Sequence, residues 1–306
     1  MADQPLAAAR AIIETARSTA VPQVHTLFDE ATFTATHLVI DPATRKAAII
    51  NSVLDFDPAS GRTTTTSAQK LVDMVKAQGL SVEWLIETHA HADHLSAAPW
   101  LQQQLGGKIA IGEHIRHVQG VFGQIFNEGE DLARDGSQFD HLFTDGETFS
   151  LGNLKGIALH VPGHTPADMA FIVGDAAFVG DTLFMPDYGT ARADFPGGDA
   201  RTLFRSIRRL MALPPETRLF LCHDYKAPGR DVFAWETTVA AEHAHNIHVH
   251  DGVEEDSFVT MREARDKTLG MPRLILPSIQ INIRAGHLPP PESNGTRYLK
   301  LPLNVL

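Results

Sequence analysis

Four short apolar segments of the sequence each end in residues whose side chains can bind metal ions. In layered α/β proteins the loops at the carboxyl ends of strands meet at one edge, where the sheet holds them in place. Imidazole and carboxylate groups together suit zinc, iron or manganese. The sequence therefore predicts one metal centre, built from the residues that follow LIET, GIALHVPG, AAFVG and RLFLC, namely His89, His91, Asp93 and His94, then His164, Asp181 and His223.

The segment 89–94, HAHADH, is the most specific of these signals. A single His164 or Asp181 after a strand is more often a turn or cap residue than a ligand. Three histidines and one aspartate within six residues seldom occur together on a surface without a metal to hold. The cluster therefore makes the isolated candidates at the other strand ends credible as well.

The apolar periodicity along the chain predicts an α/β protein. It indicates strands on either side of the Asp41-Pro42 turn, a helix over 66–78 and a strand over 82–88. Asp199 is placed to cap a further helix. Strands that alternate with helices are typical of α/β layering. The polar, glycine-containing stretch 121–137 is predicted to be a loop.

A chain of 306 residues is long enough for two domains or for one large α/β unit. The character of the sequence changes after about residue 245. We expect a catalytic domain over 1–245 and a C-terminal extension over 246–306 that packs on its core. Within the extension, the proline-rich stretch 271–295 is predicted to be irregular.

Composition and charge exclude several classes of function. The net charge of −11 opposes binding to nucleic acid and to anionic membranes. No apolar run approaches the roughly 20 residues of a membrane span. A single cysteine, Cys222, excludes an internal disulfide and fits a reducing, cytoplasmic setting. Alternation along the strand predicts that Cys222 points away from the side that His223 faces.

The motifs HAHADH, PGHT, GDTLF and CHDY, in this order, resemble those of the metallo-β-lactamase superfamily. The resemblance covers residues 25–245. It implies an αββα sandwich with the metal site at one edge of its two sheets, here with a C-terminal extension.

The segment after GDTLF is similar to that of persulfide dioxygenases, the class that contains the ethylmalonic encephalopathy protein, and in particular to bacterial members with an extended C-terminus. The shared pattern is G-x-x-R-x-D-F-x-x-G over 189–198 with a final HDY. The resemblance implies one Fe(II) per chain, bound by His89, His164 and Asp181, and O₂-dependent oxidation of glutathione persulfide to sulfite and glutathione. It also implies a homodimer, and a supporting role for four surrounding groups, His91, Asp93, His94 and His223.

The ligand inventory also fits a two-zinc thioester hydrolase of the glyoxalase II kind. In that arrangement one zinc is held by three histidines, a second by three other residues, and Asp181 bridges them; the two sets are His89, His91 and His164, and Asp93, His94 and His223. A metal-binding module without catalysis is a third hypothesis. It predicts a closed site, whereas a ligand-rich mouth built on loops is typical of an open catalytic one.

Several residues are candidates for substrate binding and catalysis. The guanidinium of Arg192 has a fork of donors that matches a carboxylate, although it can instead pair with Asp194 or Asp187. Tyr225, two residues after His223, is placed to hydrogen-bond the reacting sulfur or oxygen, and Arg192 and Tyr225 are our catalytic candidates. Further substrate-binding candidates are Thr165, Lys226 and Arg284.

Overall fold

The computed structural model describes residues 3–305 of the chain. Its helices are α1 (Gln4–Thr19), α2 (Thr66–Ala77), α3 (Ala98–Leu105), α4 (Ile115–Ile125), α5 (Ala200–Met211), α6 (Val239–His245), α7 (Glu255–Asp266) and α8 (Ile275–Asn282). Its strands are β1 (Gln23–Asp29), β2 (Thr34–Asp41), β3 (Lys46–Ile50), β4 (Val53–Asp57), β5 (Arg62–Thr64), β6 (Ser81–Ile86), β7 (Leu95–Ser96), β8 (Lys108–Gly112), β9 (His141–Phe143), β10 (Thr148–Leu151), β11 (Leu154–His160), β12 (Met169–Val173), β13 (Ala176–Phe178), β14 (Arg218–Phe220) and β15 (Glu236–Thr238).

The strands form two six-stranded sheets and one small sheet. The first sheet has the order β1-β2-β3-β6-β8-β9, the second β10-β11-β12-β13-β14-β15, and the small one β5-β4-β7. Strands β3, β6, β8 and β9 are parallel neighbours, as are β13 and β14. The other pairings are antiparallel; β12 and β13 are joined by a two-residue hairpin turn at Gly174-Asp175.

The two large sheets pack face to face through apolar side chains. Successive side chains of a strand point to opposite faces of its sheet, and both faces carry apolar residues. In β2, Val39 joins Phe171, Phe178 and Phe220 in the core between the sheets. Its neighbour Leu38 points to the opposite face and packs under helices. Both faces of β2 are therefore buried along its whole length.

A helical layer covers the outer face of each sheet. Buried side chains of α2, α3, α4 and α8 pack on the first sheet, and those of α1, α5 and α7 on the second. The Asp199 carboxylate caps α5 by accepting the Thr202 amide, as predicted. The result is the four-layer αββα sandwich that the sequence motifs imply.

Two local predictions are wrong. Helix α4 extends to Ile125 and so enters the stretch 121–137, which was expected to be a loop; its buried side chains include Val118 and Phe122. The stretch 271–295, which was expected to be irregular, contains α8, whose Ile275 and Ile279 are buried in the core of the first sheet. Apolar burial against the sheet favours a helix there in spite of Pro277.

The extension lies on both helical layers. Phe258 of α7 packs on Phe204 of α5, with ring centroids 5.4 Å apart. The boundary of the extension at residue 245 stays a prediction. Within residues 3–305, no helix combines the length and apolar character needed to cross a bilayer.

Asn282, the last residue of α8, holds the HAHADH segment in place. Its side-chain oxygen accepts the Ser96 amide at 2.9 Å. Its amide nitrogen donates to the backbone carbonyls of His91 and His94, each at 2.8 Å. The Ser96 amide and the carbonyls of His91 and His94 all belong to buried residues. The extension therefore supplies hydrogen bonds that this loop cannot make within itself.

We expect Asn282→Ala to lower the free energy of unfolding by about 3 kcal/mol, because three buried backbone groups would lose their partners. The measurement is urea unfolding of the metal-free protein, which removes the contribution of bound metal. Asn294→Ala, which truncates an exposed asparagine of the same extension, is the matched control. Equal stability of the two variants would contradict the role given to Asn282.

Candidate metal centre

The predicted metal-binding side chains come together at one edge of the sandwich. The HAHADH segment follows β6, His164 follows β11, Asp181 follows β13 and His223 follows β14. A bridge between Thr34 of β2 and His223 ties the two sheets together at this edge. The turn before His164 requires Gly163, which has a φ of +142°, and a Cβ there would collide with the backbone of Leu203.

One group of ligand atoms consists of His89, His164 and Asp181, whose nitrogen and oxygen atoms lie within 4.8 Å of one another. Asp181 Oδ2 is 3.9 Å from His89 Nε2 and 3.5 Å from His164 Nε2. The opposite ring nitrogen of His164 donates to the backbone carbonyl of Arg192 at 2.8 Å. His89 Nδ1 lies 3.1 Å from the Thr88 hydroxyl. These contacts turn both Nε2 atoms toward the aspartate.

A second group consists of His91, Asp93, His94 and His223. His223 Nε2 lies 3.4 Å from Asp93 Oδ2 and 3.4 Å from Asp181 Oδ1, so Asp181 stands between the two groups. The structure places His91 with this second group. The two-zinc arrangement expected from the sequence puts His91 with His89 and His164 instead.

Buried polar atoms without hydrogen-bond partners test whether the cluster fits a metal ion. Among the described residues they include His89 Nε2, His91 Nδ1, His94 Nε2, His223 Nε2 and Asp181 Oδ1. A buried polar atom that lacks a partner costs about 1–3 kcal/mol, so five of them in one place need a ligand. Nitrogen and carboxylate donors of this kind fit a transition metal or zinc.

Burial tunes the histidines for this role. Desolvation lowers the pKa of His89 and His91 well below the ordinary value, and the neighbouring histidines act in the same direction. Both imidazoles are therefore neutral near pH 7, and the neutral imidazole is the form that binds metals.

Asn51 and Glu87 support the cluster, and our sequence analysis did not single them out. His91 Nε2 donates to Asn51 Oδ1 and Glu87 Oε2, each at 3.1 Å, which leaves Nδ1 free for a metal. Burial raises the pKa of Glu87 to about 7. Glu87 lies two residues before His89, so its position in the sequence could have indicated a role at the site. Asn51 follows β3, and nothing in the sequence around it indicates such a role.

The prediction for Cys222 is wrong. Its Sγ lies within 4.8 Å of ligand atoms of Asp181 and His223, and it accepts a hydrogen bond from Asn51 Nδ2 at 3.3 Å. The alternation argument fails because β14 ends at Phe220, so Cys222 and His223 are no longer in a strand. Cys222 is buried, as expected.

A cavity of about 780 Å³ opens onto the metal cluster. Asp93, His164 and Asp181 lie in its wall. Its other lining residues include five aromatic side chains, Phe33, Phe184, Tyr188, Phe195 and Tyr225, and four arginines, Arg192, Arg262, Arg265 and Arg273. Clefts of this size and mixed character hold small molecules.

Of the predicted substrate-binding residues, Arg192 and Tyr225 line this cavity. The Arg192 guanidinium is bound to Asp194, with Nε–Oδ1 and Nη2–Oδ2 distances of 2.5 and 2.8 Å. Tyr225 stacks on His223 with ring centroids 5.9 Å apart.

Three other candidates lie outside the cavity lining. The Thr165 hydroxyl donates to Asp168 at 2.6 Å. The Lys226 ammonium lies 4.5 Å from the ring centroid of Phe233. Arg284 pairs with Glu128 at 2.8 Å. Their side chains are engaged in local contacts that spacing along the sequence does not reveal, and their roles in substrate binding stay predictions.

Comparison with known proteins gives consistent matches. The metallo-beta-lactamase superfamily matches residues 51–223. A probable metallo-hydrolase of Burkholderia pseudomallei is 57% identical over 293 residues, which are 92% of this chain and 99% of that protein. Glyoxylase B2 of Dictyostelium discoideum is 48% identical, over 88% of this chain and 92% of its own length.

Persulfide dioxygenases are more distant. The mitochondrial persulfide dioxygenase ETHE1 of Bos taurus is 29% identical over 87% of this chain and 89% of its own length. The crystal structure of ETHE1 from Myxococcus xanthus superposes with a TM-score of 0.68 at 28% identity, covering 87% of this chain and all of that one. The family match spans more than half of the chain and includes the strand-end residues from His89 to His223, and the chain belongs to the metallo-beta-lactamase superfamily.

Proposed function

We propose that the protein is an iron-dependent persulfide dioxygenase that oxidises glutathione persulfide with O₂. The balanced reaction consumes one persulfide, one O₂ and one water, and releases glutathione and sulfite with its protons. The observation that carries the proposal is the group formed by His89, His164 and Asp181. It is a set of two histidines and one carboxylate, and two of its members face a cavity. Such a set leaves coordination positions free for substrate and O₂.

The similarity to persulfide dioxygenases supports the same activity, since it extends over 87% of the chain both in sequence and in structure. A bound Fe(II) would supply the one-electron chemistry that allows O₂ to react with a thiolate sulfur. The protein's own residues hold the ligands: the Arg192 carbonyl fixes the His164 ring, and the Phe33 carbonyl accepts from His223 Nδ1 at 3.1 Å.

Aromatic side chains form part of the cavity wall beside the metal cluster. Phe184, Tyr188 and Tyr225 contact one another with ring centroids between 5.1 and 5.9 Å apart. Phe195 packs against His164 at 5.2 Å. These rings place apolar surface next to the ligand atoms, so a bound substrate would displace water from the metal.

A two-metal thioester hydrolase is the second candidate. The convergence of His91, Asp93, His94 and His223 beside Asp181 favours it, because these residues offer a second set of unpartnered ligand atoms. The hydrolase names of more similar relatives also favour it. In the dioxygenase these four residues instead orient the ligands and water around one iron.

Metal content and O₂ uptake separate the two candidates. We expect protein purified without air to contain about one iron per chain, and to consume O₂ and form sulfite when glutathione persulfide is added. Two zincs per chain, hydrolysis of a glutathione thioester and no O₂ uptake would replace the dioxygenase with the hydrolase.

Single variants test which residues hold the metal. His164→Ala and Asp181→Ala are expected to lose bound iron and O₂ uptake together. His94→Ala is expected to keep about one iron per chain and lose roughly 10- to 100-fold in activity, since it acts on the ligands' surroundings. Elemental analysis of each variant is the measurement.

The control for these variants is His245→Ala, which removes an exposed histidine of α6 and leaves iron and activity unchanged. Full iron in His164→Ala, or complete loss of iron in His94→Ala, would contradict the proposed ligand set.

A further inference from the structure

We propose that Arg265 and Arg273, both in the C-terminal extension, bind the carboxylates of the substrate and make the cavity selective for thiol compounds with two carboxylates. The identification of glutathione as the preferred ligand rests on the proposed function. The recognition itself is independent of which reaction the metal centre performs.

Two of the four arginines in the cavity wall already have partners within the chain. Arg192 pairs with Asp194 and also donates to the Gly270 carbonyl at 2.7 Å. Arg262 is buried and pairs with Asp266 at 2.7 Å. Most donors of both guanidinium groups are used in these contacts within the chain, so few are left for a ligand.

The other two, Arg265 and Arg273, are exposed and line the same cavity. Within residues 3–305, neither side chain forms an ion pair or a side-chain hydrogen bond. The pKa of the Asp57 carboxyl is lowered mainly by hydrogen bonds from the Ser60 hydroxyl and the Ala59 amide, and only weakly by the charge of Arg273. Both guanidinium groups therefore have their donors available to a ligand in this cavity.

The cavity connects these arginines to the metal cluster. His164, Asp181, Arg265 and Arg273 all lie in the wall of the one space of about 780 Å³, which is large enough for a tripeptide. Arg273 also lines a neighbouring cavity of about 420 Å³, together with Ala31, Thr32 and Leu274, which are shared between the two. A tripeptide whose sulfur is at the metal can therefore extend its two ends along this cavity toward the arginines.

The chemistry of the guanidinium group defines the ligand class. Arginine binds carboxylates through two parallel N–H···O bonds, which gives both charge and orientation. Glutathione and its derivatives have one carboxylate at each end of a tripeptide and the sulfur in the middle. Two cationic groups in the wall of the cavity that reaches the metal cluster match this arrangement, whereas one cation would suffice for a cysteine-sized ligand.

The test is the affinity of the metal-loaded protein for S-methylglutathione, an unreactive probe, measured by calorimetry. The double variant Arg265→Ala/Arg273→Ala is expected to bind the probe at least about tenfold more weakly than the unaltered protein. The dimethyl ester of the probe, which lacks both carboxylates, is expected to bind both proteins with equal, lower affinity.

Arg10→Ala is the matched control, because Arg10 is also exposed, lies on α1 and lines none of these cavities. It should bind the probe as the unaltered protein does, which would show that loss of a positive charge elsewhere on the surface does not weaken binding. Equal affinity of the double variant and the unaltered protein for the probe would overturn the proposal, as would the absence of probe binding to the unaltered protein.

The outcomes also separate this inference from the proposed function. Loss of probe affinity in the double variant, without O₂ uptake by the unaltered protein on any persulfide, would leave carboxylate recognition standing and remove the dioxygenase. Persulfide-dependent O₂ uptake by the unaltered protein, with unchanged probe affinity in the double variant, would leave the dioxygenase standing and remove carboxylate recognition by these arginines.

Discussion

The rest of the structure depends on one energetically unfavourable feature. Four imidazole nitrogens and one carboxylate oxygen are buried at one edge of the sandwich without hydrogen-bond partners. Burial also holds His89 and His91 in the neutral form, so the edge is suited to a cation. A bound metal would satisfy these atoms and convert an unfavourable cluster into a stabilising one. The rest of the fold positions this cluster and shapes the access to it.

The two sheets provide the rigidity that the cluster needs. Each ligand follows a strand whose other residues are packed between apolar layers, so the loops start from fixed points. A set of hydrogen bonds then orients the rings: the Arg192 carbonyl for His164, the Phe33 carbonyl for His223, and Asn51 with Glu87 for His91. Side chains held from behind in this way keep their geometry when a metal or substrate binds.

The C-terminal extension contributes to the site from two directions. Through Asn282 it holds the backbone of the HAHADH loop from within the core. Through Arg265 and Arg273 it lines the cavity that leads to the cluster. The same segment thus joins the stability of the metal-binding loop to the composition of the cavity wall, and an extension with a different sequence would alter both.

The sequence by itself determined the α/β character and the seven candidate ligands, because strand periodicity and ligand spacing are local signals that survive without coordinates. The αββα arrangement followed from the resemblance of its motifs to those of a known superfamily. It also located α5 and its Asp199 cap. Tertiary structure alone decided that α8 is a helix, that Cys222 faces Asp181, and that Thr165, Lys226 and Arg284 lie outside the cavity lining. These depend on contacts between segments far apart in the chain, such as Asn282 with His91, and burial and ion pairing at such contacts outweigh local propensity.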